Sequence, residues 1–593
     1  MALTHICTDA MRFSSKAYVK IYTAKRKRNG ECKLKTRVFN IITVFLLSTL
    51  FVFGLAGCGK NAQGTNVITI SSASTTVEAP VTAVDSITAA EATEEFSITT
   101  LDGAFTQNGS KYTVTKGGVY TLSGALNGQI IVAASKEDVV ELELNGVTIT
   151  CSEDSPIRIL SADKVEISAK NHTENIIRDT REKRVDDDSD LGSGAITAKT
   201  DIKLKGAGVL VVEGGFNNGI HTSKDVTIQK LALKVTAVNN AIRGADSVTI
   251  ESGIVVAVSS EGDGIKTKST DLSKSGTPRG DITLLGGTLE IWAAGDGIQA
   301  SHDFIMKSGE GLVPEVTIYT GAYSSYTADT AATESYMGVK TENAIDISAG
   351  MIIISSYDDG LHANSGTAFQ SGGTGIGDVS ISGGTVITTV FSPEGKTGGG
   401  KTGRSDNGGW EGQKAVSGAD GIHANGTLTI SGGSVNIDSA YEGLEANVIE
   451  ISDGITIIRA MDDGVNACKG AQTPLVKVTG GVFDVTVSPD GDLDGIDSNG
   501  GYVQNGGLVI TRGPNNMMAG AIDAESTIEV SGGTLLALGY GRIEVSGSVK
   551  QFELSLHSQG EHNLTVGDTT YVFTNAYDYA QTLCVSDAQV NGK

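Results

Sequence analysis

The chain has 593 residues, with 77 Gly against 8 Pro, 19% charged and 5% aromatic residues, and a net charge of −24. That much Gly without Pro excludes collagen and Pro-rich linkers, and Gly spread between short β-branched runs points to many strands and tight turns. Residues 1–57 hold ten Lys/Arg against two Asp/Glu, leaving about −32 on the remainder; so acidic a body excludes nucleic acid, which needs a basic face, and suits cations.

The first segment reads as an address. Basic residues from Lys16 to Arg37 precede the apolar run VFNIITVFLLSTLFVFG and then Leu55-Ala56-Gly57-Cys58. A basic region, an apolar region and small residues before a cleavage point make a secretory signal, and Leu-Ala-Gly-Cys there resembles the lipobox of bacterial lipoproteins. Residues 1–57 are therefore expected to be a lipoprotein signal peptide, with Cys58 acylated. That anchors the protein to the membrane by lipid, on the extracellular face of the cell. A transmembrane helix is the alternative reading of the apolar run. Residues 58–95, rich in Ser and Thr, read as a flexible tether. No CxxC pair occurs, so neither a Cys-based zinc site nor a redox pair is expected; Cys151, Cys468 and Cys584 read as small buried core residues.

From residue 96 a short unit recurs: NNGIHT (217–222), GDGIKT (262–267), GDGIQA (295–300), DDGLHA (358–363), ADGIHA (419–424), YEGLEA (441–446), DDGVNA (462–467) and LDGIDS (493–498). Between these lie VSISGGTVIT, LTISGGSVNI, VKVTGGVFDV and IEVSGGTLLA, each read as two short alternating strands joined at a Gly pair. No stretch shows a 3.6-residue apolar period, and a propeller blade needs a longer repeat. The pattern predicts an all-β fold: a right-handed single-stranded parallel β-helix, a solenoid with coils of roughly 22 residues and Gly at corners of positive φ. It is expected to span 96–540, with insertions at 178–192 and 392–418 and a C-terminal cap at 541–593.

The DGIH and DGIK turns, the ISGG hairpins and a Gly-rich insertion ahead of ADGIHANGTLTISGG resemble the secreted carbohydrate-binding-domain proteins of cellulolytic clostridia. The resemblance covers about residues 96–540. It implies a calcium-binding parallel β-helix, similar to polysaccharide lyases, that binds cellulose and acidic plant polysaccharide. Asn218 and Asn240 depart from the pattern, standing where that family tends to have Asp, which weakens a calcium site in the early coils.

Stacked coils place Asp263, Asp296, Asp359, Asp420, Asp463 and Asp494 along one edge, with Asp358 and Asp462 beside them. Two carboxylates about 4.8 Å apart repel by roughly 1 kcal/mol in water and about 3–4 kcal/mol at an effective dielectric of 20. Calcium, which takes six to eight oxygens, answers that cost. An Asp that merely caps its own turn is the alternative at each position, so the doubled acids Asp358–Asp359 and Asp462–Asp463 are the strongest candidates. After each turn comes an outward polar position, occupied in order by His221, Arg243, Lys266, Gln299, His362, His423, Glu445, Asn466 and Asp497. The three histidines fall on separate coils with wide gaps and read as a solvated strand face. For saccharide contact the candidates are Trp292, Trp410, Tyr357, His362, His423 and Tyr441.

The expected function is polysaccharide binding at the cell surface, without catalysis, by a monomer. A calcium-dependent uronate lyase is the alternative, with Lys266 as its base, although neighbouring carboxylates oppose the loss of its proton. A surface adhesin that contacts other proteins is a third reading.

Overall fold

The computed structural model describes residues 59–60, 66–71, 87–182, 192–321, 335–369, 374–390, 418–487, 493–515, 519–539 and 543–593. The apolar run, Cys58, Trp410 and most of both expected insertions lie outside the described residues. Every described regular element is a β-strand, and 41 of the strands join in one sheet.

From Lys164–Ala169 to Val339–Thr341 each strand hydrogen-bonds in parallel to the strand three places further along the chain. Three stacks result. In the first, Ile220 pairs with Ile242 and Ile242 with Ile265; in the second, Val226 pairs with Val248 and Val248 with Ile282; in the third, Leu233 pairs with Val255 and Val255 with Leu289. Partners Ile220 and Ile242 are 22 residues apart, as are Ile422 and Leu444. Longer intervals, such as the 61 residues from Leu361 to Ile422, keep the same register.

Side-chain alternation explains why the units stack. Leu231–Ala237 buries Leu231, Leu233, Val235 and Ala237 and turns the residues between them outward. The inward column Ile220, Ile242, Ile265, Ile298, Val339, Leu361, Ile422 and Leu444 is wholly buried. Each such side chain contributes about 1.5–3 kcal/mol, but only once units above and below cover it.

The Gly pairs are corners, not hairpins. In Ile422–Ala440 the runs on either side of Gly432–Gly433 do not pair with each other; Ile430 pairs with Ile381 and Ile451, and Val435 with Val386 and Thr456. The second Gly of successive pairs has positive φ, 77° at Gly384, 76° at Gly433, 87° at Gly454 and 76° at Gly481. A Cβ on Gly433 would lie 2.6 Å from the carbonyl oxygen of Gly384, so both conformation and space demand glycine.

Both ends differ from the simple reading. Part of the expected tether is docked: Asn66–Thr69 pairs in parallel with Thr569–Val572, Ala92 N–H donates to Thr148 Oγ1 at 2.8 Å, and Arg178 is paired with Glu91. Backbone donors that find partners hold a segment irrespective of its Ser/Thr content. At the other end Gln581–Ser586 runs antiparallel to Thr534–Gly539. Leu556, Leu564 and Phe573 form an apolar cluster with outward Leu508, Ile510 and Leu536. Arg512, 1% exposed, ties the two regions by donating to Asp484 and Asn575. Cys151 and Cys584 are buried as expected, whereas Cys468 is half-buried.

Gly433→Ala and Gly146→Ala test the corner packing. Gly146 has φ 74° but open space around its Cβ direction, so its substitution should cost only the backbone strain, about 1–2 kcal/mol. Gly433→Ala adds a backbone clash and should cost clearly more in urea melts; equal losses would show that the corners are not close-packed.

Candidate functional site

The Asp-Gly turns form a hydrogen-bonded ladder. In four of these Asp residues one carboxylate oxygen accepts the backbone N–H at the equivalent place in the next unit: Asp263 Oδ1 from Asp296 at 2.9 Å, Asp359 Oδ1 from Asp420 at 2.6 Å, Asp463 Oδ1 from Asp494 at 2.8 Å, and Asp494 Oδ1 from Gly520 at 2.6 Å. Asp296 Oδ1 accepts from Met337 N–H and from the Ser335 hydroxyl. In the early units asparagine does the same work, Asn240 donating to Asn218 at 2.9 Å and accepting from Asp263 N–H at 3.2 Å. The ladder Asp residues are therefore structural first, which the turn motif alone did not show. The doubled acids divide: Asp359 and Asp463 belong to the ladder, and Asp358 and Asp462 stand beside it.

The outward position three residues after each ladder residue makes a second column, paired in register through the first stack. It runs Arg158, Thr197, His221, Arg243, Lys266, Gln299, Lys340, His362, His423, Glu445, Asn466, Asp497 and Asp523. The early part is basic and the late part acidic, with the His pair at the crossover. Where the outer residue is cationic or imidazole it takes the second carboxylate oxygen of its own Asp. Lys266 Nζ is 2.7 Å from Asp263 Oδ2, His362 Nδ1 meets Asp359 Oδ2, and His423 Nδ1 is 3.0 Å from Asp420 Oδ2.

His362 and His423 are neighbours, contrary to the expectation of wide gaps. Their rings stack 4.5 Å apart at 4°, because His362 and His423 are register partners on adjacent strands. Burial opposes charge on His423, but Asp420 and Glu445 outweigh it and lift the ring to about 11. Burial and Asp359 together push the Asp420 carboxyl well up. His221 behaves oppositely: burial, then Arg243, lowers it to about 4.

Past the crossover the column carries Glu445, Asn466, Asp497 and Asp523. Oxygens of Asp494, Asp497 and Asp523 converge within 4.8 Å, and burial pushes the Asp494 carboxyl up to about 8. Asp462 is 3% exposed and its Oδ2 has no hydrogen-bond partner. Glu442 replaces Asp at its rung and accepts from Asn466 Nδ2 at 2.9 Å. Asp358 is half-buried, its carboxyl raised by burial and by Asp359.

The aromatic candidates do not converge. Trp292 stacks on Tyr319 at 4.2 Å and 23°, with its indole N–H donated to Glu290 at 2.7 Å. Tyr319 had no motif to mark it; only the parallel register brings it beside Trp292. Tyr357 lies against Gly321, near this pair, whereas Tyr441 lies against Gly418 and precedes rung Glu442. Lys266, half-buried, donates its ammonium to Asp263 instead of presenting a lone pair.

A family model described as carbohydrate-binding domain-containing protein matches residues 108–389 and 407–578. The chain belongs to this family. A relative so described from Acetivibrio thermocellus is 43% identical over 117 residues, 19% of this chain and 41% of the relative, so the match spans about two fifths of that relative's length. A solved structure, described as the polysaccharide lyase-like protein from C. thermocellum in a gadolinium derivative, is 31% identical. It covers 42% of this chain and 90% of its own at a TM-score of 0.36, too loose a superposition to transfer any site.

Asp296 gives a pH test. Burial, then Asp263, raises its carboxyl to about 7. The folded chain thus holds this proton where the unfolded chain, with a carboxyl near 3.9, has lost it. The associated stability is full below about pH 4 and is lost as pH rises to about 7, with a slope of at most about 1.4 kcal/mol per pH unit. Relative to wild type, Asp296→Asn should gain in urea melts across that window; a constant difference would refute the shift.

Proposed function

We propose that this protein is a non-catalytic, cell-surface polysaccharide-binding lipoprotein whose stacked three-strand units form a right-handed single-stranded parallel β-helix. Parallel pairing three strands on, at intervals near 22 residues, supports that architecture, and parallel crossovers are right-handed in about 98% of cases. The lipobox motif supports acylation of Cys58 and display outside the cell as a monomer.

The observation that carries the binding reading is the straight column of outward hydrogen-bonding groups from Arg158 to Asp523. Equivalent positions lie about 4.8 Å apart, so two units span about 9.6 Å, comparable to a disaccharide. Its early part offers Arg243, Lys266 and Lys340 to the carboxylates of an acidic pectic chain. The stacked Trp292–Tyr319 pair, with Tyr357 nearby, offers apolar ring surface suited to a neutral glycan such as cellulose.

Calcium fits the late units best. Asp494, Asp497 and Asp523 bring oxygen donors within 4.8 Å of one another, and the orphaned Asp462 Oδ2 is a buried oxygen in need of a cation. Asp263 and Asp296 fit less well, since their oxygens are engaged by Lys266, Ser335 and backbone N–H groups. Bound calcium would neutralise the acidic end and hold its carboxylates together. The lyase alternative loses support because Lys266 is committed to Asp263.

Retention on cellulose and polygalacturonate, with calcium and with chelator, tests the reading while unsaturated product is followed by ultraviolet absorbance. Retention without turnover is expected, together with a lower melting temperature in chelator that Asp494→Asn partly reproduces. Sustained turnover would move the protein to the lyases, and failure to retain either glycan would remove the polysaccharide reading.

A further inference from the structure

The hexapeptides Asp359-Gly-Leu-His-Ala-Asn364 and Asp420-Gly-Ile-His-Ala-Asn425 lie on adjacent units, with Leu361, His362 and Ala363 paired to Ile422, His423 and Ala424. Each histidine is held in the same way. Its Nδ1 faces the Asp three residues before it, and its Nε2 faces the Asn two residues after it, at 2.8 Å for His362–Asn364 and 3.4 Å for His423–Asn425. The Asn oxygen accepts a hydrogen bond from Nε2–H, so Nδ1, which faces the carboxylates, is the nitrogen an incoming ion would take in place of its proton. This is the outer contact that metal-ligating histidines characteristically make.

The ligand atoms converge. Asp359, His362 and His423 each place one donor within 4.8 Å of the others, and Asp420, His423 and Glu445 do the same. The ladder supplies an independent sign. Asp263, Asp359, Asp463 and Asp494 each use Oδ1 to accept a backbone N–H of the next unit, whereas Asp420 Oδ1, in a residue 3% exposed, has no partner. A buried carboxylate oxygen left in this way is costly unless a cation meets it.

We propose that His362, His423, Asp359 and Asp420 form a binding site for one divalent transition-metal ion of the zinc type. Two imidazole nitrogens and two carboxylates make a four-ligand set of the kind zinc takes, and nitrogen donors select against calcium, which prefers oxygen alone. Metal–ligand distances of about 2.0–2.2 Å require the side chains to draw together and the stacked rings to tilt out of their parallel arrangement, since an ion lies in the plane of each imidazole that binds it. The ion would clamp two adjacent units. Both histidines also stand in the outward column, but zinc binding is read without any glycan present.

Equilibrium dialysis of tag-free protein against zinc chloride, in excess calcium chloride, tests the site. One zinc per chain is expected, with affinity lost about tenfold or more in His362→Gln and in His423→Gln, and about tenfold in Asn364→Ala. Cobalt(II) added to wild type should give the intense visible bands of a tetrahedral ion, a reading that needs no variant to fold. Zinc retained by the His362/His423 double variant would place the ion elsewhere, for instance at Asp281, His302 and Asp303, and would overturn the proposal. So would displacement by calcium, or a pale octahedral cobalt spectrum. Glycan retention measured on the same variants reports separately on the binding reading.

Discussion

In-register parallel stacking is the constraint on which the rest of this structure depends. It repeats every side-chain choice about 4.8 Å further on, so a favourable contact is multiplied and an unfavourable one is multiplied equally. Apolar columns gain from this, since Ile220, Ile242, Ile265 and Ile298 bury one another. A column of carboxylates loses by it, and the ladder answers by spending one oxygen of most of its Asp residues on the backbone of the next unit, Asp420 excepted. Glycine obeys the same logic at the corners, where the carbonyl of the unit before occupies the place of a Cβ.

What remains free is the second carboxylate oxygen and the residue three places on. Here the protein varies from unit to unit while the scaffold stays constant. Lys266 neutralises Asp263, His423 is shared between Asp420 and Glu445, and Asp497 and Asp523 add charge to Asp494. One scaffold thus presents a basic end, a histidine crossover and an acidic end in a single column. Such a column suits ligands with repeating, charged or hydroxyl-rich groups better than one concave pocket does.

Much of this was legible before any coordinates. The recurrence of DGI and SGG units located the strands and corners, because turn chemistry and side-chain alternation are local properties. The acidic edge and outward polar positions followed from the repeat as well. The doubled role of each Asp was not legible, since nothing local distinguishes a carboxylate that bonds the next unit from one left free for a cation. Tyr319 escaped for a similar reason: it lies in an ordinary alternating strand and gains meaning only beside Trp292. Composition also did not show that Asn66–Thr69 and Ala92 pair with the body, since docking depends on which backbone groups lie within reach.

The sequence by itself determined the strand class, the spacing of the units, the positions that require glycine and the chemistry available at each outward position. These depend on residues close together in the chain. Only the tertiary structure decided which units are neighbours. Separated by sixty residues of sequence, His362 and His423 read as distant, yet they stack at 4.5 Å. Register across a loop is fixed by apolar burial on the stack, not by the length of the loop.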